Sequence, residues 1–129
     1  GYINIHASIS NISTFVAQGD IGQNALTGEI KTYTLTEKDV DGVNGTFTLY
    51  ERMNGETLAI IALEGTTAGD MHPGHIHQNA AAEGGNILLT FNPVNGETGL
   101  SMSNISTLDN GMAISFADIL IFFPFFAIL

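Results

Sequence analysis

The chain has no cysteine, and only Lys31, Lys38 and Arg52 carry a fixed positive charge among its 129 residues. Without thiols there are no disulfide staples and no thiolate zinc sites, and the redox compartment goes unmarked. Three basic side chains stand against 13 acidic ones, for a formal net charge of −10. Such a surface repels phosphate backbones and anionic membranes, so nucleic-acid binding is excluded as a function class. The acidic residues are spread along the chain and read as a self-repelling, soluble surface rather than a tail. Charge of either sign is scarce, at 12% of residues, so Thr, Ser, Asn and Gly must supply the rest of the polar surface. That composition is common in secreted β proteins and fibrous surface proteins. Also missing is a helical period sustained over three turns; a short helix around residues 103–108 is the only local candidate. The longest apolar run, residues 119–129 (ILIFFPFFAIL), is broken by Pro124. A membrane-spanning helix needs about 20 residues, so no membrane span is expected.

What is present is strand chemistry. At 129 residues the chain makes one domain with a core of its own. Residues 27–35, 45–50, 57–63, 87–91 and 112–116 are short and rich in β-branched and aromatic side chains, which predicts strands. Asn54-Gly55 and Asn95-Gly96 are tight-turn dipeptides suited to the positive φ of a type I′ turn, and the first predicts a hairpin. Gly84-Gly85 and residues 109–111 mark further loops. Strands about ten residues apart are the signature of a sandwich or barrel. The fold class expected is an all-β, antiparallel sandwich. Two repeated phrases, Ser-Asn-Ile-Ser-Thr and Asn-Gly-Glu-Thr, share no common spacing and signal no solenoid.

Three of the four histidines crowd into Met71-His72-Pro73-Gly74-His75-Ile76-His77; the fourth closes Tyr2-Ile3-Asn4-Ile5-His6. Side chains alternate faces along a strand, so His75 and His77 point one way, and Tyr2, Asn4 and His6 share a face. Two strands can thus bring three imidazoles to one point. Neutral imidazoles bind Zn²⁺ or Cu²⁺, which makes His6, His72, His75 and His77 candidate metal ligands. Pro73 turns the chain between His72 and His75, and no carboxylate is obviously placed to orient the rings, although Asp70 and Glu83 are near in sequence. The rival reading is a polar seam in which Asn4 and the histidines pair across strands. Residues 39–42 with Asn44 resemble an oxygen-rich Ca²⁺ loop but lack EF-hand spacing and read as a solvated turn. No nucleophile elbow or phosphate loop is present. Three sequons, at Asn11, Asn44 and Asn104, are candidate glycosylation sites on an export route. The chain opens on Gly1 without Met, and the expectation is a mature segment whose export signal has been removed.

The stretch from Ala68 through His77, continuing into Ala80-Ala81-Ala82-Glu83-Gly84-Gly85 and an apolar strand, resembles the centre of a CHRD (chordin-type) domain of the bacterial secreted kind. Asn92-Pro93-Val94-Asn95-Gly96-Glu97-Thr98-Gly99 and Leu108-Asp109-Asn110-Gly111 are similar to the segments on the C-terminal side of that centre in such domains. The resemblance covers roughly residues 30–118, and His-Pro-Gly-His-Ile-His is its most specific part. It implies an extracytoplasmic Ig-like or superoxide-dismutase-like Greek-key sandwich with no settled activity. One departure matters. The Tyr-x-Asn-x-His strand, normal near the end of that module, stands here at the beginning, as does Gly19-Asp20-Ile21-Gly22, while the apolar tail holds the end. Residues 1–29 then form an out-of-order segment: one phase of a tandem repeat, a circular permutation, or a donor strand completing the next subunit.

The expected function is a non-enzymatic structural protomer or repeat of an extracellular fibre or surface layer, self-assembling by β-strand complementation. Tyr2, Ile3, Asn4 and Ile5 are the expected contacts in a neighbour, with Phe122, Phe123, Phe125 and Phe126 of the apolar tail packing at the junction. The alternative is a monomeric secreted domain binding Cu or Zn, with redox chemistry as its extension. Superoxide dismutation would need a fuller ligand set and an electropositive funnel, and three basic residues do not supply one.

Overall fold

The computed structural model describes residues 1–22 and 24–122. Strands account for 52% of the chain and helix for 5%, which makes the protein all-β, and every strand pairing is antiparallel. The N-terminal strands β1 (Tyr2–Ser8) and β2 (Asn11–Asp20) form a two-stranded ribbon. A six-stranded sheet is built from β3 (Leu26–Leu35), β4 (Asn44–Arg52), β5 (Thr57–Glu64), β6 (Met71–His72), β9 (Val94–Asn95) and β10 (Leu100–Ile105). Their order across the sheet is β3-β4-β5-β10-β9-β6. A second small sheet pairs β7 (His75–His77) with β8 (Ile87–Thr90), and beyond β10 lies a short helix, α1 (Phe116–Phe122).

Alternation along the central strands decides which face is covered. Phe47 and Leu49 of β4, Ala59 and Ile61 of β5, and Ser101, Ser103 and Ile105 of β10 are buried together. Ile76 and Leu89 from the small sheet meet them, with Phe91 and, from the C-terminal segment, Ile114, Phe116 and Ile119. The Phe47 ring lies 5.3 Å from Phe91 and 6.0 Å from Tyr33, so one aromatic ring ties the two layers and the edge strand together. The opposite face is covered unevenly, with Thr48 buried and Leu58 and Ile60 partly buried. In register across it lie Ile30, Tyr50, Leu58 and Asn104, then Thr32, Thr48, Ile60 and Met102, with Ile30 and Met102 more than half exposed.

The hairpin expected at Asn54-Gly55 joins β4 to β5. Its turn differs from type I′: Gly55 has φ 85° while Asn54 stays at negative φ. Gly55 N–H donates to the Arg52 carbonyl (2.9 Å), and Arg52 N–H to Glu56 O (2.9 Å), giving a three-residue loop with glycine at its left-handed position. Two expectations are corrected. Residues 103–108 are not helical, because β10 runs to Ile105 and its alternating Ser101, Ser103 and Ile105 fill the covered face against β5. Residues 112–116 make no strand beyond an isolated bridge of Ala113 with Thr107. Helix α1 starts there instead. Ser115 Oγ accepts from Asp118 N–H (3.1 Å) and the Asp118 carboxylate from Ser115 N–H (3.0 Å), a reciprocal cap that starts the turn carrying Ile119 into the core.

Candidate functional site

The six residues from His72 to His77 pass from one layer to the other. His72 pairs with Val94 at the edge of the six-stranded sheet, whereas His75 pairs with Thr90 in the small sheet. Between them Pro73 turns the chain, and the buried Gly74 offers its carbonyl to Phe91 N–H (2.9 Å). Ile76 points inward and is buried, so alternation leaves both His75 and His77 on the outer side, half-buried. Their ring centroids are 5.7 Å apart and the planes perpendicular.

His77 is fixed by its loop. Its Nδ1 lies 2.9 Å from the Gly85 carbonyl, and a carbonyl only accepts, so Nδ1 carries the proton. In the neutral ring Nε2 is then a bare lone pair; that atom is buried and has no hydrogen-bond partner. The loop is drawn shut by Gln78 N–H donating to Asn86 O (2.8 Å), with Asn79 Nδ2 donating to Gly84 O (3.1 Å). Gly85 has to be glycine, since a Cβ there would overlap the Gln78 carbonyl. His72 Nε2 is likewise buried and unpartnered.

The other expected members of the cluster are elsewhere. His6 belongs to the ribbon, where its ring sits 5.0 Å from Phe15 and its Nδ1 donates to the Ile12 carbonyl. Asn4 lies opposite Gln18 in the same ribbon and its Oδ1 has no partner, so the seam between Asn4 and the cluster histidines is not formed. Among the described residues no three His, Asp or Glu side chains are grouped closely enough to hold one metal ion. The four histidines thus resolve into one adjacent pair, one separate ring in the large sheet, and one ring in the ribbon.

No family model, curated protein or solved structure matches this chain. The chemistry must be read from its own surfaces.

The ribbon is the second candidate site, and its strands are joined to each other and packed against no other strand or helix to a comparable degree. Tyr2 (64% exposed), Ile3, Ile5, Phe15 and Val16 are all at least half exposed. Asn4 and Gln18 share one face, Ile3 and Ile5 the other with Gly19 and Ala17 opposite, and irregular register near His6 swaps the pattern beyond it. Thus β1, for which donor-strand exchange is one of three readings, pairs with β2 of its own chain, and its outer edge is what remains for another. The ribbon joins the body beside the β4–β5 turn, where Arg52 Nη1 donates to Asn24 O (2.7 Å) and Met53 N–H to Ala25 O (2.8 Å).

Of the sequons, Asn11 stands exposed at the ribbon turn and Asn44 is exposed at the start of β4. The Asn104 amide is engaged, accepting from Arg52 Nε (2.7 Å) and donating to Glu56 (3.3 Å). In the solvated turn at residues 39–42, Gly42 N–H donates to the Glu37 carboxylate (2.6 Å), which closes the loop. The contacts expected of Phe123, Phe125 and Phe126, and the side chain of Phe122, lie outside the described residues.

Proposed function

We propose that this chain is a self-associating structural unit of the CHRD type, a protomer or repeat of an extracellular fibre or surface layer, in which the β1–β2 ribbon of one copy joins the body of the next. The observation that carries this reading is the ribbon itself. An isolated two-stranded hairpin is at best marginally stable in water. This one also exposes Tyr2, Ile3, Ile5, Phe15 and Val16. Apolar surface of that extent, held away from its own core, marks an interaction site.

The same chain offers a matching surface. The sheet face bearing Ile30 and Met102 leaves both more than half exposed, and β3 is an edge strand whose outer backbone groups have no strand to pair with among the described residues. An extended, largely uncharged ribbon complements such an edge by strand addition. Ribbon and receiving surface are different patches, so the contact is head-to-tail and propagates as an open chain unless rotation closes it. The superoxide-dismutase-like topology and an extracellular or cell-surface location come with the CHRD reading.

Electron microscopy and sedimentation velocity of the full chain test it. The unaltered chain assembles in a concentration-dependent way, and the double variant Ile3→Lys/Ile5→Lys, altered on one ribbon face, sediments as a monomer with the melting temperature of its body unchanged. Compact monomers at all concentrations for the unaltered chain overturn the reading.

A further inference from the structure

We propose that His75 and His77 form a two-histidine binding site for a divalent d-block metal ion, Cu²⁺ or Zn²⁺, on the outer side of the small sheet. The site stands on geometry independent of the assembly reading. Both imidazoles project from the same face of β7, with centroids 5.7 Å apart, a separation at which both ring nitrogens can reach one ion between them.

The state of His77 is the stronger argument. The Gly85 carbonyl accepts the Nδ1–H hydrogen bond, which keeps the proton on Nδ1 and leaves Nε2 with its lone pair. This is the outer contact that metal-bound histidines use, a backbone carbonyl fixing one nitrogen so that the other faces the ion. That Nε2 is buried and has no partner among the described residues. A buried acceptor left unsatisfied is destabilising. Coordination removes that penalty. Gly85 and the closed 78–86 loop are therefore positioning elements, since they set where the lone pair points without touching the ion.

The rest of the chain limits what the site can be. Among the described residues no third His, Asp or Glu joins the pair, so solvent fills the remaining positions. Nitrogen ligands with open positions suit Cu²⁺ above Zn²⁺ in affinity.

Titration of the full chain with Cu²⁺ and separately with Zn²⁺, read by calorimetry and, for copper, electron paramagnetic resonance, provides the test. One ion binds per chain, reversibly with chelator, and the copper spectrum carries hyperfine structure from two imidazole nitrogens. His75→Gln and His77→Gln each lower affinity at least about tenfold, while His6→Gln and His72→Gln leave it within twofold. Gly85→Ala, which displaces the carbonyl that holds His77, weakens binding without removing a ligand. Circular dichroism melts of every variant separate loss of ligand from loss of fold. Absence of stoichiometric binding overturns the proposal, as does binding that survives in a folded His75→Gln/His77→Gln double variant. Neither result bears on assembly, which is read by sedimentation in metal-free buffer.

Discussion

The β1–β2 ribbon and the β4–β5 hairpin are built from the same material, antiparallel strands of β-branched and aromatic residues joined by a short turn, yet they end in opposite circumstances. Phe47 and Leu49 of the hairpin are 1% exposed, whereas Ile5 and Phe15 of the ribbon are 50% exposed. Strand propensity is the same in kind on both sides. What differs is a second layer: the hairpin faces β7, β8 and α1, and the ribbon faces nothing in its own chain among the described residues. Apolar content therefore does not say whether a strand belongs to a core. Only a partner surface does, and on the proposed reading the ribbon finds that surface in a neighbouring copy.

Substitutions can break this comparison. Phe47→Ala should cost about 3–5 kcal/mol in chemical denaturation, because it empties the junction between Tyr33 and Phe91. Ser115→Ala removes the reciprocal cap that turns the chain into α1 and should cost about 1 kcal/mol, lowering the melting temperature of the body without altering assembly. Phe15→Ala, an aromatic truncation like the first, should change the stability of a dilute monomer by less than about 0.5 kcal/mol. Equal costs for Phe15→Ala and Phe47→Ala would show that the ribbon is part of the core after all. Amide hydrogen exchange sharpens the same contrast, with ribbon amides opening at much lower free energy than β4 and β5 in the monomer and becoming protected on assembly.

A smaller effect appears at alkaline pH. Burial raises the Tyr33 phenol above its ordinary value, so the folded chain holds that proton more tightly than the unfolded one. Its contribution to stability is complete below about pH 10 and is lost as pH rises through the raised value. Denaturation curves of Tyr33→Phe should lack that loss while the parent shows it.

How much of this was legible in the sequence depended on how local each cause was. The β4–β5 hairpin was readable because its strands and its Asn54-Gly55 turn agree within about twenty residues. The polar look of Leu100-Ser101-Met102-Ser103-Asn104-Ile105 concealed β10, since Ser101 and Ser103 are buried by their neighbours rather than by their own hydrophobicity. Residues 112–116 look like a strand, and the signal that overrules them is the Ser115–Asp118 spacing, a helix-start pattern visible in the sequence but outweighed by five apolar-rich letters. At the site, alternation correctly put His75 and His77 on one face. It could not reveal that Gly85, eight residues on, fixes the His77 tautomer, nor that His6 pairs within a local ribbon far from the cluster's strand. Both depend on where loops close, which side-chain periodicity does not encode.

The route by which the ribbon joins the body has a mechanical consequence. Residues 24 and 25 lead directly into β3, which among the described residues is hydrogen-bonded on one side only and whose first pairing, Leu26 with Arg52, lies beside the β4–β5 turn. Tension applied through the ribbon meets first the contacts of residues 24 and 25 with Arg52 and Met53, and then this edge strand. The register irregularity between Leu26 and Ile30 leaves the near end of β3 thinly bonded, while Tyr33 and Leu35 at the far end pack against the core. Under load, β3 would act as a yielding element: the first rungs of its ladder open early and extend the tether, and the aromatic contact of Tyr33 with Phe47 sets where that extension stops.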